Sequence, residues 1–196
     1  MDLIGAKRLR IQISGEEEIY VVEGKESEGG VISAEIEGLS KEPTKVYASN
    51  VAYYVSSKGV GETAATFTML DLPSEIEDKI LGLKTDDNGI SYFGEDTDAP
   101  YCAVALESED LSGETAILGF FKGKFGRDGI TAETLTDEAP EPEGSELTYT
   151  PISDDKDGVT KGQVMGKYVG NDSAAIEALN AQLFGATDNP SGSDGE

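Results

Sequence analysis

Polar and apolar residues alternate with a period of two along many short runs of this 196-residue chain. From Arg8 to Ser14, every second residue is leucine or isoleucine and the residues between them are polar, and Ile19 to Glu23 and Val31 to Ile36 continue in the same style. Because successive side chains of a strand point to opposite faces of its sheet, this period predicts half-buried β-strands. The pattern is typical of a mainly β protein.

The same reasoning extends the strand prediction to the rest of the chain. A polar, Gly-rich stretch before Val31 predicts a turn and a hairpin between the second and third strands. Gly119 and Gly123 indicate bends or close backbone approach in a long strand, in which Phe121 and Phe125 are expected to share a face with Ile117. Further strands are predicted at Glu62–Leu72, Ile90–Phe93, Tyr101–Glu107, Thr115–Phe125, Glu146–Ile152 and Val164–Val169, of which Ile90–Phe93, Tyr101–Glu107 and Thr115–Phe125 form a meander.

Two short helices are expected among these strands. The first follows Pro73, which suits a first helical turn, and Gly82 is placed to end it. The second is capped by Asn171 or Asp172 and closed by Gly185, and it should dock on the sheet. Their apolar sides consist of Ile76, Ile80 and Leu81 in the first and of Ile176, Leu179 and Leu183 in the second.

The expected fold class is therefore mainly β with one or two short helices, arranged as a sandwich or a barrel-like sheet. Length and 37% hydrophobic content favour one domain, residues 1–185, followed by a flexible tail at 186–196 that has nothing to bury. The acidic, Pro-rich segment Asp137–Glu146 reads as a loop, and Asp86–Gly89 reads as a strong turn.

The connection from Leu39 to Gly61 is too apolar for an ordinary surface loop. It carries Val46, Tyr47, Tyr53 and Tyr54, and aromatic side chains are enriched in protein interfaces. These four residues are our candidates for contacts with other subunits. The alternative is that the segment packs on the core of its own chain.

The sequence offers little of the chemistry that enzymes use. The chain has no histidine, which excludes histidine-based triads and histidine-ligated metals, and its one cysteine, Cys102, lies in an apolar run expected in the core. A calcium-loop pattern begins at Lys84, where a cation opposes the metal, so a simple turn is favoured. We predict no catalytic, cofactor-binding or metal-binding residue.

The 39 acidic and 15 basic residues give a formal net charge of −24, which opposes binding to a phosphate backbone. No run of about 18 apolar residues and no signal-peptide pattern is present, so we expect a soluble chain that is made in the cytoplasm and does not enter a membrane.

Several collinear stretches between residues 45 and 184 resemble the major tail tube protein family of long-tailed bacteriophages of Gram-positive hosts. They are Gly59-Val60-Gly61, Leu70-Asp71-Leu72-Pro73, Asp78-Lys79-Ile80-Leu81-Gly82, Asn88-Gly89-Ile90, Ala99-Pro100-Tyr101, Ala103 to Ser108, Leu118 to Phe125, Leu147 to Pro151 and Gly166 to Val169.

The resemblance implies a structural virion subunit without catalysis or cofactors. It implies six subunits to a ring, rings stacked into a tube through which DNA passes without tight binding, and contacts with the tape measure, tail terminator and distal tail proteins. The alternatives are an Ig-like or adhesin-type binding module that stays monomeric, and a carboxylate-dependent hydrolase with paired acids in a deep pocket.

Overall fold

A computed structural model of the chain describes residues 2–25, 28–131, 134 and 144–185. The described elements are twelve strands and two helices. In chain order they are β1 (Leu3–Ile13), β2 (Ile19–Val22), β3 (Gly30–Glu37), β4 (Thr44–Ala48), β5 (Val51–Ser56), β6 (Ala64–Leu70), α1 (Ser74–Leu81), β7 (Lys84–Thr85), β8 (Ser91–Tyr92), β9 (Cys102–Asp110), β10 (Thr115–Gly126), β11 (Ser145–Pro151), β12 (Met165–Val169) and α2 (Ser173–Phe184).

Eight of these strands form one antiparallel sheet in the order β2-β1-β9-β10-β11-β6-β3, with β12 as a second partner of β10. The long β10 strand is shared along one side: its residues 116–120 pair with β12 and its residues 123–126 pair with β11. The sheet curls so that β3 also lies against β1. The result is a mainly β, sandwich-like architecture with two helices, and this confirms the predicted fold class.

The β9–β10 pair lies at the centre and is buried on both faces. Alternate β9 residues, Cys102, Val104 and Leu106, face the inner core, which the sheet forms with α1. Ala103 and Ala105 face the other way, under α2. A strand that is covered on both sides needs a nearly continuous apolar run, and Cys102 to Leu106 supplies one.

A buried aromatic group fills the inner core where β10 and β11 meet. The centroid of the Tyr149 ring lies 4.9 Å from that of Phe125 and 5.6 Å from that of Phe120. The Tyr149 hydroxyl donates a hydrogen bond to the Cys102 carbonyl at 2.7 Å. Burial raises the pKa of the Tyr149 phenol, so it stays a protonated donor. Gly123 leaves the space that this ring occupies.

The second helix packs on the outer face of the central strands. Asp172, one of the two predicted caps, begins it by accepting from the Ala174 amide at 3.0 Å. Leu179, Leu183 and Phe184 bury against the sheet.

Arg10 of β1 ties this helix to the sheet. Its guanidinium donates to Asn180 at 2.8 Å and lies 5.3 Å from the centroid of the Phe184 ring. Burial lowers the pKa of Arg10, and the positive charge of neighbouring Arg8 adds to that effect. The helix is thus held by apolar burial and by one partly buried cation.

The first helix covers the inner core with Ile80 and Leu81, and Ile76 is partly buried beside them. It ends at Gly82 in the left-handed conformation with φ of 69°, where a Cβ atom would collide with the Asp98 carbonyl. Glu77 of this helix forms an ion pair with Arg127, whose guanidinium also donates to the Ser145 hydroxyl at 3.0 Å. The predicted helix and its glycine terminus are confirmed.

Two predicted strand pairings and one predicted side-chain face are wrong. The second and third strands do not form a hairpin, because β2 pairs with β1 while β3 pairs with β6 at the far end of the sheet. The meander is shorter than predicted, since β8 pairs with β7 and only β9 and β10 are neighbours. Phe125 does not share a face with Ile117, because the β9–β10 register shifts between Phe120 and Gly123 and turns Phe125 into the inner core.

The remaining strand predictions are confirmed to within a few residues, although β1 begins at Leu3, ahead of the predicted Arg8. Three strands were not predicted: β4 and β5 in the Leu39–Gly61 connection, and the short β7. Most of the acidic loop predicted at 137–146 and the tail predicted at 186–196 lie outside the described residues.

Replacing Gly123 with alanine should destabilise the protein. The new Cβ would lie 2.5 Å from Cζ of Tyr149 and 2.6 Å from the Thr150 carbonyl oxygen, so the core must shift, and we expect a loss of about 2 kcal/mol in the free energy of unfolding. Urea denaturation measures it. Gly126→Ala is the matched control in the same strand, because its nearest neighbour is 3.9 Å away; equal losses in both variants would contradict the packing argument.

The Cys102 thiol should resist modification in the folded protein. Burial raises its pKa to about 12, whereas a thiol in an unfolded chain titrates near 8.5. Below about pH 8.5 its contribution to stability is fully present, and it is lost as the pH rises toward 12, because only the unfolded chain ionises in that window. We expect a disulfide reagent at pH 8 to react with Cys102 in denaturant but not in native buffer. Equal rates in both would contradict the prediction.

Candidate assembly surface

Residues 44–56 form a hairpin that lies outside the main sheet. Its strands, β4 and β5, pair only with each other. The two residues between them, Ser49 and Asn50, have φ of 54° and 65°, and positive φ at both central positions is the feature of a type I′ turn. Such a turn matches the twist of the flanking strands, so a tight two-residue hairpin follows from local geometry.

All four interface candidates of the sequence analysis lie on this hairpin and are exposed. Val46 stands directly opposite Tyr54, and their neighbours Tyr47 and Val55 point to the other face. Together with Val51 and Tyr53, these side chains are 52–82% accessible. Neither face of the hairpin is covered by the rest of the described chain, so the segment does not pack on its own core.

Tyr53 occupies a special position in the hairpin. The register shifts between Val46 and Tyr47, whose partners are Tyr54 and Ala52, so Tyr53 is the extra residue of a bulge. It is also the most accessible of the large apolar side chains in the described ranges, at 82%. A bulge redirects a side chain, and here it presents an aromatic ring to solvent.

A narrow neck connects the hairpin to the sheet. The chain leaves after β3 and returns before β6, and the two segments touch where the Thr63 hydroxyl donates to the Gly38 carbonyl at 3.1 Å. A Cβ atom on Gly61 would lie 2.8 Å from the Gly38 carbonyl oxygen and 2.7 Å from that of Ser40. Glycines therefore let the two segments pass in contact, which fixes where the hairpin emerges.

The sequence predicted the apolar character of this hairpin segment but not its two strands. The signal was present: Lys45-Val46-Tyr47 and Val51 to Val55 are rich in β-branched and aromatic residues. The Ser49-Asn50 turn is less conspicuous than an Asn-Gly pair, because serine has no strong preference for positive φ.

The region that resembled a calcium loop is a turn. One Asp86 carboxylate oxygen accepts from the Asn88 and Ile90 amides, both at 2.9 Å, and the other accepts from the Tyr92 hydroxyl at 3.0 Å. The Ile90 hydrogen bond is the main cause that lowers the pKa of Asp86. Lys84, at the first loop position, pairs with Asp96.

Within the described ranges, no group of three or more acidic or cysteine side chains is placed to hold a metal ion. Neither of the two described helices has the length and hydropathy that a membrane crossing requires. The exposed apolar hairpin is a distinguishing feature of the described surface.

Comparison with known proteins identifies the family of this chain. Residues 7–189 match the family model described as phage tail tube protein. No curated protein matches the chain, and no solved structure matches it. The family model covers most of the chain, including the central sheet, both helices and the projecting hairpin. The chain therefore belongs to the phage tail tube protein family and is a structural component of the virion.

Proposed function

We propose that copies of this chain assemble into stacked rings of six that conduct phage DNA, and that the β4–β5 hairpin makes contacts between copies. The observation that carries the proposal is the exposure of both apolar faces of that hairpin. An isolated two-stranded hairpin is marginally stable in water. A second copy that covered Tyr53 and Tyr54 would stabilise it by burying aromatic surface.

The charge of the chain suits a conduit. A net charge of −24 per copy gives an assembled tube a strongly negative surface, and carboxylates along a lumen would repel phosphates. Every lysine or arginine contact with DNA would instead add affinity through counterion release and oppose movement. In this proposal the DNA passes without tight binding.

The proposed setting is the tail of a long-tailed phage of a Gram-positive host, built from chains made in the host cytoplasm. The remaining partners are the tape measure protein inside the tube, the tail terminator at one end and the distal tail proteins at the other. The proposal assigns residues 1–185 to one tube-forming domain with an assembly loop at 39–61.

Self-assembly is the first prediction of this proposal. Negative-stain electron microscopy of the purified chain over a concentration series should show hollow rings or tubes above a threshold concentration. Isolated particles at every concentration, also after addition of the distal tail proteins that would start assembly, would contradict it and favour a monomeric binding module.

The hairpin aromatics should be needed for assembly but not for folding. We expect Tyr53→Ser combined with Tyr54→Ser to abolish rings, because both side chains are exposed in the single chain and their loss removes contact area only between copies. Electron microscopy measures assembly, and circular dichroism with thermal unfolding measures the fold.

Leu111→Ser combined with Val159→Ser is the matched control. These side chains are 69% and 79% accessible but stand alone in loops outside the hairpin. We expect normal rings from this variant. Loss of the fold in the tyrosine variant would show that the hairpin supports its own chain, and normal assembly of that variant would exclude the hairpin as the contact.

A further inference from the structure

A second hairpin of the structure also projects apolar side chains into solvent. β7 and β8 pair only with each other around the Asp86–Gly89 turn. Three large apolar side chains on or beside β8 are exposed. They are Ile90, Tyr92 and Phe93, which are 52%, 52% and 63% accessible. Among the described residues outside the β4–β5 hairpin, no other four-residue stretch exposes three large apolar side chains.

The two hairpin regions carry opposite charge. Residues 39–61 contain three lysines and one glutamate, a net charge of +2 in a chain whose total is −24. Residues 84–98 contain five acidic residues and one lysine, a net charge of −4. Regions of opposite charge on two copies would attract each other, whereas surfaces that share the net negative charge of the chain would repel.

Some charged side chains of the two regions form no ion pair within the described part of their own chain. Lys41, Lys45 and Lys58 are exposed and form no ion pair in the described part of the protein. In the acidic region Asp96 and Asp98 pair with lysines of their own chain, and Asp86 holds the turn.

The other two acidic residues of this region are Asp87 and Glu95. Both are exposed, and neither has an ion-pair or hydrogen-bond partner among the described residues. They flank the exposed Ile90, Tyr92 and Phe93 on either side in sequence.

We propose that the β4–β5 hairpin of one copy docks on the β7–β8 hairpin of the next copy, with apolar side chains in the centre and lysine–carboxylate pairs at the rim. This arrangement rests on the proposed function and names the surface that receives the hairpin. The two surfaces differ, so the contact is heterologous, and repeating it generates a closed ring or an open stack rather than a symmetric dimer. A polar rim around an apolar centre is the usual anatomy of a protein interface.

Charge reversal on each side tests the docking. Lys45→Glu with Lys58→Glu should raise the threshold concentration for rings about tenfold or more, because like charges would then face each other. Asp87→Lys with Glu95→Lys should do the same, although it brings the total charge closer to zero and so reduces general repulsion between copies. The chain that carries all four changes keeps the total of −24 and should recover the wild-type threshold.

Lys156→Glu with Lys167→Glu is the matched control, because both lysines are exposed and form no ion pair in the described part of the chain, and the change in total charge equals that of the first variant. If this control and the hairpin variant shift the threshold equally, general repulsion explains the effect and the docking is wrong. If the four-fold variant does not recover while Tyr53→Ser with Tyr54→Ser abolishes rings, the assembly function stands and the receiving surface lies elsewhere.

Disulfide trapping gives a second readout that needs no loss of function. Chains with Tyr53→Cys and chains with Phe93→Cys, mixed at a concentration where wild-type rings form, should yield a cross-linked dimer that neither chain gives alone. The buried Cys102 does not compete, since it is inaccessible. Absence of the mixed product, with rings still visible, would overturn the docking while leaving the tube function intact.

Discussion

Burial of the β9–β10 pair on both faces is the constraint on which the rest of the fold depends. Once Cys102 to Leu106 lies between the inner core and α2, its backbone cannot reach water, so strands must pair on both sides of it. β1 supplies one neighbour and β10 the other. The division of the far edge of β10 between β11 and β12 completes the pairing along its length. The hydroxyl of Tyr149, donated to the Cys102 carbonyl, joins this ladder to the aromatic core.

The charges are arranged differently in the body of the protein and at its projections. Arg8 faces Glu107, and Arg127 joins α1 to β11 through Glu77 and Ser145, so cations of the body are used to hold neighbouring elements together. These side chains are partly buried, so solvent and salt screen the pairs less than they screen exposed ones. The lysines of residues 39–61 have no such internal role in the described structure, and their region opposes the sign of the whole chain. The cations that join elements of the body are therefore different residues from the exposed lysines of the hairpin segment.

Most of the fold could be read from the sequence, because period-two alternation and helix caps act locally. The strands around Leu9, Ile11 and Ile13, the Gly82 terminus and the Asp172 cap follow from residues close to one another in the chain. Strand order does not follow from local sequence, since β3 pairs with β6 from across the whole hairpin segment. The face that Phe125 occupies depends on a register shift between β10 and its partner strand β9. The hairpin residues were identified by their excess of aromatic side chains, while their projection from the sheet depends on backbone contact at Gly38 and Gly61.

The neck at Gly38 and Gly61 gives the molecule a mechanical joint. Among the described residues, the strands of the hairpin pair only with each other, and its two connecting segments touch at this neck. Two segments in contact resist extension through their covalent backbones, yet they yield to bending through small rotations of φ and ψ. A load along the hairpin would therefore pass through the backbone into the β3–β6 ladder, which begins at the Glu37–Ala64 pair, whereas a sideways load would tilt the hairpin at the neck.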